Sequence, residues 1–99
     1  VNINLKDGVA EIGLIIDEKY QKKGYGKKVI DAICEYSFNE LRLNRLETTI
    51  IEYNIPSLKL FTEKCNWVLE GHKRNYYFRN GNYHNQNILS ILKSEYSII

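Results

Sequence analysis

The stretch of residues 20–28, YQKKGYGKK, constrains the fold of this chain more than any other. Gly24 and Gly26 permit positive φ, and because they lack a Cβ their main-chain N–H groups can approach a ligand closely. Small or apolar residues then recur three or four positions apart, as on one side of a helix: Ile30, Ile33, Ser37, Phe38 and Leu41. The two glycines are therefore predicted to stand at the start of a helix.

Four lysines surround this predicted helix start: Lys22, Lys23, Lys27 and Lys28. A helix N-terminus carries partial positive charge and favours acidic side chains in its first turn. Lysines are unfavourable there in a bare helix but suit a bound polyanion, because free N–H groups and the helix dipole already attract phosphate. From charge alone, a solvated basic face beside a turn explains these lysines equally well. The dinucleotide fingerprint and the P-loop motif do not match, since Val29 stands where the former has its third glycine.

The first half of the chain predicts a hairpin, a helix and a strand. Residues 1–5 and 9–16 flank an Asp7-Gly8 turn signal, which indicates two antiparallel strands. The predicted helix covers residues 27–43. The β-branched run at residues 45–53 then predicts a strand parallel to strand 9–16, because a helix joins the two as a crossover.

The second half predicts a helix and a second hairpin. Asn54 is a good N-cap and Pro56 is tolerated in a first turn, so a helix is expected over residues 55–64. An Asn-Gly pair, Asn80-Gly81, separates the strand-like residues 67–78 and 83–92. The predicted fold class is α/β, with a mixed and partly parallel sheet in the order β-β-α-β-α-β-β.

Composition excludes several classes of protein. A chain of 99 residues with 43% hydrophobic and 26% charged residues is one small globular domain. The net charge of +2 is too small to argue for a nucleic-acid partner. No apolar run is long enough to span a membrane and no signal peptide is visible, so a cytoplasmic location is the default expectation. The cysteines and histidines lack metal-ligand spacing, so no metal site is predicted and Cys34 and Cys65 are expected to be reduced and at least half-buried.

The residues before the glycines, taken with the turn itself, resemble the acetyl-CoA loop of the GNAT N-acetyltransferase superfamily. Residues 10–17, AEIGLIID, followed by Gln21-x-x-Gly24-x-Gly26, are similar to the family signature Q/R-x-x-G-x-G/A after a strand. The resemblance is closer still to the branch of ribosomal-protein N-terminal and spermidine acetyltransferases. It implies a GNAT-like acyl-CoA N-acyltransferase fold in which residues 1–99 form a single partial domain without the family's N-terminal elements. The chain is thus expected to be a fragment, or to receive the missing surface from a partner chain.

The resemblance also implies that acetyl-CoA binds as a cosubstrate. Main-chain N–H groups of residues 22–27 would hold the pyrophosphate, with Gln21 bracing the loop. The pantetheine arm would lie along strand 9–16 where this strand leaves its parallel neighbour, and an N–H near Leu14 or Ile15 would stabilise the oxyanion. The candidate cofactor-binding residues are Leu14, Ile15, Ile16, Gln21, Lys22, Lys23, Gly24, Tyr25, Gly26, Lys27, Asn54, Ser57 and Phe61.

The predicted catalytic group is a single candidate base. Glu11 is a carboxylate on an otherwise apolar strand, and it could take a proton from an amine, bind a cationic acceptor or form an ion pair. Asn54 could serve as a helix cap, as a cofactor contact, or as both. Many family members have a tyrosine, proposed to protonate the leaving thiolate, where this chain has Phe61. Counting back from Trp67 aligns Thr62 with that position instead, which indicates one extra residue in this segment.

The function that the resemblance implies is transfer of an acetyl group from acetyl-CoA to a primary amine, by direct attack in a ternary complex. The acceptor could be a protein N-terminus, a polyamine or another small amine. Two alternatives stay open: a CoA-binding module with weak or no turnover, and a small nucleic-acid-binding domain that uses the basic residues 19–28. The oligomeric state, including a homo-oligomer, also stays open.

Overall fold

The computed structural model describes residues 2–13 and 25–96. The predicted order of elements is confirmed, and a short C-terminal helix is added to it. In chain order the elements are strand β1 (Asn2–Asn4), strand β2 (Val9–Glu11), helix α1 (Tyr25–Glu35) with a π-helical turn (Tyr36–Glu40), strand β3 (Arg45–Ile51), helix α2 (Ile55–Lys59) with a π-helical turn (Leu60–Lys64), strand β4 (Val68–Arg79), strand β5 (Asn82–Leu92) and helix α3 (Lys93–Tyr96).

The described strands form one mixed sheet in the order β1-β2-β3-β5-β4. Strands β2 and β3 are parallel, with Val9 opposite Arg45 and Glu11 opposite Glu47. The other neighbouring pairs are antiparallel. Parallel neighbours need a crossover connection, and the segment between β2 and β3 contains α1. The carboxyl ends of β2 and β3 therefore lie at the same edge of the sheet.

Two tight turns connect antiparallel strands, and both depend on positive φ. Asn80 and Gly81 have φ values of 52° and 79°, as a two-residue type I′ hairpin turn requires. Gly8 has a φ of 70°. Its carbonyl accepts hydrogen bonds from the N–H groups of Asn44 and Arg45 at 2.7 and 3.0 Å. A Cβ at Gly8 would lie 3.2 Å from the Asn44 nitrogen, so both backbone conformation and space favour glycine there.

Strand β2 is shorter than predicted. The expected strand covered residues 9–16, but within the described part it ends at Glu11, and residues 14–16 lie outside the described ranges. Among the described residues, the last main-chain bond between β2 and β3 runs from the Ile12 N–H to the Glu47 carbonyl at 2.9 Å. The Ile12 carbonyl accepts a hydrogen bond from the Thr48 hydroxyl at 2.9 Å.

Strand β3 and helix α1 also end earlier than predicted. The strand expected over residues 45–53 ends at Ile51, because the chain turns there and the Asn54 N–H donates to the Ile51 carbonyl at 3.0 Å. The helix expected over residues 27–43 is helical only as far as Glu40. Arg42 has a φ of 55°, a left-handed conformation that a right-handed helix cannot continue through.

Both long helices close with a π-helical turn, which the 3.6-residue periodicity does not predict. The Leu41 N–H donates to the Tyr36 carbonyl at 3.1 Å, and the Cys65 N–H donates to the Leu60 carbonyl at 3.1 Å. These bonds span five residues instead of four, so each turn takes up one additional residue.

The two faces of the sheet differ in burial. Along β3 the side chains of Leu46, Thr48 and Ile50 are buried, whereas those between them are half-buried or exposed. Side chains of the buried face form one cluster with residues of α1 and α2, and we call the opposite face the open face. The buried apolar cluster consists of Ala10, Ile12, Ile30, Cys34, Phe38, Leu43, Leu46, Ile50, Phe61, Cys65, Trp67, Leu89 and Ile91.

Candidate functional site

Most of the predicted CoA loop lies outside the described residues. This applies to seven of the candidate binding residues, and their assignment stays a prediction: Leu14, Ile15, Ile16, Gln21, Lys22, Lys23 and Gly24. The structure does describe both ends of this segment. Strand β2 leads into it and helix α1 follows it, and this order of elements is the one that the sequence predicts for a loop that holds phosphate.

The helix after the glycine turn includes Tyr25 and Gly26, which is buried. Its first turn contains no acidic residue, so the helix dipole is not neutralised there. Lys27 Nζ lies 2.6 Å from the Asp31 carboxylate, one turn along the helix. This hydrogen bond and the charge of Asp31 raise the pKa of Lys27. Lys27 is thus paired on the helix surface, and Lys28 is also exposed, with its Nζ 5.9 Å from the centre of the Tyr25 ring.

The candidate base Glu11 is the last residue of β2 and has an exposed side chain. It lies opposite Glu47 in the parallel register, so both carboxylates belong to the open face. No ion pair joins Glu11 to a described cation. A carboxylate that is accessible to solvent and has no cationic partner can accept a proton or bind a cation from outside.

Glu11 lines a cleft of about 390 Å³ on the open face. The other residues that line it come from β3, β4 and β5: Arg45, Glu47, Thr48, Thr49, Glu70, Gly71, Lys73, Gln86 and Ile88. Arg45 donates from Nε and Nη2 to one oxygen of Glu47, at 3.0 and 2.8 Å, and Nη2 also donates to Glu70. Bonding to Arg45 lowers the pKa of the Glu70 carboxyl. Arg45 thus compensates two of the three carboxylates of the cleft, and Glu11 is the third.

Asn54 and Ser57 lie at the start of α2, where they were predicted. The Asn54 side-chain oxygen accepts a hydrogen bond from the Ser57 N–H at 3.3 Å, which makes Asn54 the N-cap of the helix. Both residues are half-buried. Because β2 and β3 are parallel, the described end of β2 and the start of α2, which follows β3, lie towards the same edge of the sheet. Ligands of open α/β sheets bind at such an edge, outside the carboxyl ends of the strands.

Phe61 and Thr62 occupy the π-helical turn of α2. The Phe61 ring is 4% exposed and contacts the Trp67 ring edge-to-face, with 4.9 Å between their centres. The Thr62 hydroxyl donates to the Leu58 carbonyl at 2.7 Å. Phe61 therefore packs in the core, and the Thr62 proton is already used in a hydrogen bond. The role of Phe61 as a cofactor contact stays a prediction.

The thiols and imidazoles do not form a reactive or metal-binding site in the described part of the chain. Cys34 and Cys65 are both free and buried, as expected. Burial raises the pKa of Cys34 to about 12 and that of Cys65 to about 11, so both thiols are neutral at physiological pH. His84 Nδ1 lies 3.5 Å from the Glu52 carboxylate. No group of three potential metal ligands occurs among the residues described.

Sequence reasoning found Glu11 but missed its surroundings. Arg45 and Glu70 are 25 residues apart in the chain, and only the pairing of β4 with β5 and of β5 with β3 brings them together. The alternation of Arg45, Glu47 and Thr49 with buried residues along β3 was a usable signal for a polar open face. Thr48 gave no signal, because a threonine on the buried face of a strand is an ordinary β residue.

Comparison with known proteins identifies the family. The model of the acetyltransferase (GNAT) family matches residues 1–67. A spermidine N(1)-acetyltransferase of Vibrio cholerae is 32% identical over 96 residues, which are 97% of this chain and 55% of that protein. The L-amino acid N-acetyltransferase AaaT of Escherichia coli is 31% identical over 75 residues, which are 76% of this chain and 46% of that protein. This chain therefore belongs to the GNAT acetyltransferase family, and it spans about half the length of these relatives.

A solved structure of the same class superposes on this fold. The spermidine N-acetyltransferase of Vibrio cholerae, crystallised in complex with CoA and spermine, matches with a TM-score of 0.85 and 33% sequence identity. The match covers 96% of this chain and 56% of that one. The predicted α/β class and the GNAT-like fold are thus confirmed. No helix in residues 2–13 and 25–96 is long and apolar enough to cross a membrane.

Proposed function

We propose that this chain carries the acetyl-CoA-binding part of an N-acetyltransferase that acetylates a primary amine by direct attack in a ternary complex. The observation that carries the proposal is the parallel pairing of β2 with β3. It brings the end of β2 and the start of α2 to one edge of the sheet, and on this proposal the residues that follow β2 bind CoA there. On this proposal the main-chain N–H groups of residues 22–27 hold the pyrophosphate. Asn54 and Ser57, at the start of α2, also bind the cofactor.

Glu11 is the proposed base. It lies at the end of β2, one residue before the point where β2 leaves β3, and it faces the cleft without a cationic partner among the described residues. An acceptor amine is protonated near neutral pH and must lose a proton before it attacks the thioester. Glu11 would accept that proton directly or through a water molecule.

A polyamine is the acceptor class that we propose. The relatives named above act, by their names, on spermidine and on L-amino acids, and one was crystallised with spermine. A polyamine carries several ammonium groups, and Glu11 is the carboxylate of the cleft that no described cation compensates, so it would pair with one of them. A cytoplasmic location and a homo-oligomeric assembly belong to the same proposal.

A CoA-binding module without turnover is the second candidate. It is favoured by one observation: Phe61 has no proton to give and the Thr62 hydroxyl already donates to Leu58. The departing thiolate would then need a proton from water. No observation of this kind favours nucleic-acid binding: of the two described lysines of the basic stretch 19–28, Lys27 is paired with Asp31 and Lys28 lies beside the Tyr25 ring.

The deciding experiment measures CoA binding and amine-dependent CoA release on the same preparation. Acetyl-CoA is titrated into the protein, and release of free CoA is then followed with spermidine, an N-terminal peptide and a neutral amino acid. Saturable binding with release that is fastest for spermidine supports the proposal. Binding without release for any amine supports the module, and absence of binding contradicts both.

A further inference from the structure

A buried hydrogen bond lies where the two parallel strands separate. The Thr48 hydroxyl, in β3, donates to the main-chain carbonyl of Ile12 at 2.9 Å. Thr48 is 4% exposed and Ile12 is 7% exposed, so solvent does not compete for this bond. A buried carbonyl without a donor is destabilising, so its partner is expected to be well defined.

The hydrogen-bonding pattern of parallel strands shows what this bond replaces. In a parallel ladder, one residue makes two hydrogen bonds to the neighbouring strand. Its N–H donates to the carbonyl of one residue of that strand, and its carbonyl accepts from the N–H of the residue two positions further along that strand. The Ile12 N–H donates to Glu47, so the next donor in the ladder is the Thr49 N–H. Between the described residues 2–13 and 45–51, no such main-chain bond is formed. The Thr48 hydroxyl has taken the place of that N–H.

Because the Thr48 hydroxyl replaces the Thr49 N–H as the donor, it determines the direction of the Ile12 carbonyl and that of the Gly13 N–H. The Thr48 side chain lies on the buried face, so it draws the Ile12 carbonyl towards the helices. Because the Ile12 carbonyl and the Gly13 N–H belong to one planar peptide, fixing the carbonyl fixes the N–H in the opposite direction. Within residues 2–13 no carbonyl accepts from the Thr49 N–H, and Thr49 lines the cleft.

We propose that Thr48 is a positioning residue for the cofactor: its hydroxyl ends the β2–β3 pairing at Ile12 and orients the peptide that leads into the CoA-binding residues 14–24. The inference rests on the proposed function, since it assigns the separation of the strands to CoA binding. The positioning role of the Thr48 hydroxyl differs from a purely structural one. A structural hydroxyl would contribute to stability alone, whereas a positioning hydroxyl determines whether the strand stays open for the ligand.

The test compares Thr48→Val, which keeps the shape of the side chain and removes the hydroxyl, with Thr48→Ser, which keeps the hydroxyl. Two quantities are measured for each protein: the amide hydrogen exchange of Thr49 and the affinity for CoA. In the valine variant the Ile12 carbonyl turns back to the Thr49 N–H, so exchange at Thr49 slows by roughly tenfold or more. The misdirected strand weakens CoA binding by roughly tenfold or more. The serine variant stays within about twofold of the unmodified protein in both.

Three results would overturn the proposal. One is CoA affinity in Thr48→Val equal to that of the unmodified protein. Another is a loss of affinity without slower exchange at Thr49, and the third is an equal loss of affinity in a folded Thr48→Ser variant. If the valine variant does not fold, Thr48→Ala and Thr48→Ser give the same contrast without the methyl group. If the unmodified protein does not bind CoA, the proposed function fails, while the exchange data still decide whether Thr48 ends the ladder.

Discussion

Glu11 of β2 lies directly opposite Glu47 of β3, so two carboxylates stand side by side on the open face of the sheet. Glu47 is compensated by Arg45, whose Nη2 lies 2.8 Å from it, and Glu11 has no such partner in the described part of the chain. Like charges on adjacent strands are destabilising unless something compensates them. The arrangement is therefore suited to receive a cation, and an ammonium group of the acceptor is the cation that we propose.

The first prediction concerns Glu11. Replacement of Glu11 by glutamine keeps the size of the side chain and removes its ability to take a proton. We expect amine-dependent CoA release to fall by about 10²–10⁴-fold, because general-base catalysis contributes about that much. Affinity for CoA is expected to stay the same, since the cofactor does not depend on this carboxylate. The rate of CoA release at saturating spermidine measures the effect.

Glu40→Gln is the matched control for this substitution. Glu40 is an exposed carboxylate on the π-helical turn that follows α1, and it does not line the cleft. The control should react as fast as the unmodified protein. A Glu11→Gln variant that also reacts at the unmodified rate would contradict the assignment of the base.

The second prediction separates the two roles of Asn54. Loss of the cap in Asn54→Ala should lower the free energy of unfolding by about 0.5–2 kcal/mol, because the Ser57 N–H loses its acceptor. Asn54→Asp keeps a capping oxygen and should keep the stability. If Asn54 also contacts CoA, the aspartate variant will bind CoA more weakly, since its charge repels phosphate. Urea unfolding and CoA titration of both variants measure these effects, and unchanged stability in Asn54→Ala would contradict the capping role.

The sequence predicted the elements that depend on local chemistry. Asn80-Gly81 predicted a hairpin, and strands β4 and β5 are joined there by a turn in which both residues have positive φ. Asn54 indicated a helix start three residues before Ser57, and the capping bond is present. Short-range rules of this kind need only residues that are neighbours in the chain.

The features that the sequence could not predict depend on distant contacts. Residues 9–16 have the composition of a longer strand, but β2 ends at Glu11 in the described part of the chain, where the hydroxyl of Thr48, 36 residues from Ile12, donates to the Ile12 carbonyl. The π-helical turns have no distinct periodicity over five residues. In the candidate site, Glu11 was named as the base because it is a carboxylate on an otherwise apolar strand, and this role stays a prediction. Arg45 and Glu70 were missed because only strand order brings them together.

The third prediction concerns pH. Burial raises the pKa of Cys34 to about 12 and that of Cys65 to about 11, so the folded protein keeps protons that the unfolded chain releases above about pH 9. The contribution of both thiols to stability is thus complete below pH 9 and is lost as the pH rises towards 11–12. We expect the free energy of unfolding to fall between pH 9 and pH 11, and to fall less steeply in a Cys34→Ala variant. Urea unfolding at several pH values provides the measurement.

Because Cys34 and Cys65 are buried, we expect their thiols to react slowly in the folded protein. At pH 8 a thiol with a pKa near 12 has about a thousandfold less thiolate than one with a pKa near 9. Both cysteines should therefore resist a thiol-specific disulfide reagent in the native protein and react rapidly in urea. Rapid labelling of either thiol in the folded protein would contradict their placement in the core.

The central claim is that the glycine turn before α1 holds the diphosphate of CoA, and calorimetric titration of CoA into this chain and its Gly24→Val variant tests it most directly. A branched side chain at Gly24 should keep the main chain from approaching phosphate, so affinity should fall by at least about tenfold, or about 1.4 kcal/mol. The expected result is a saturable isotherm for the unmodified chain and a weakened one for the variant. Equal CoA affinity in the two proteins would contradict the account.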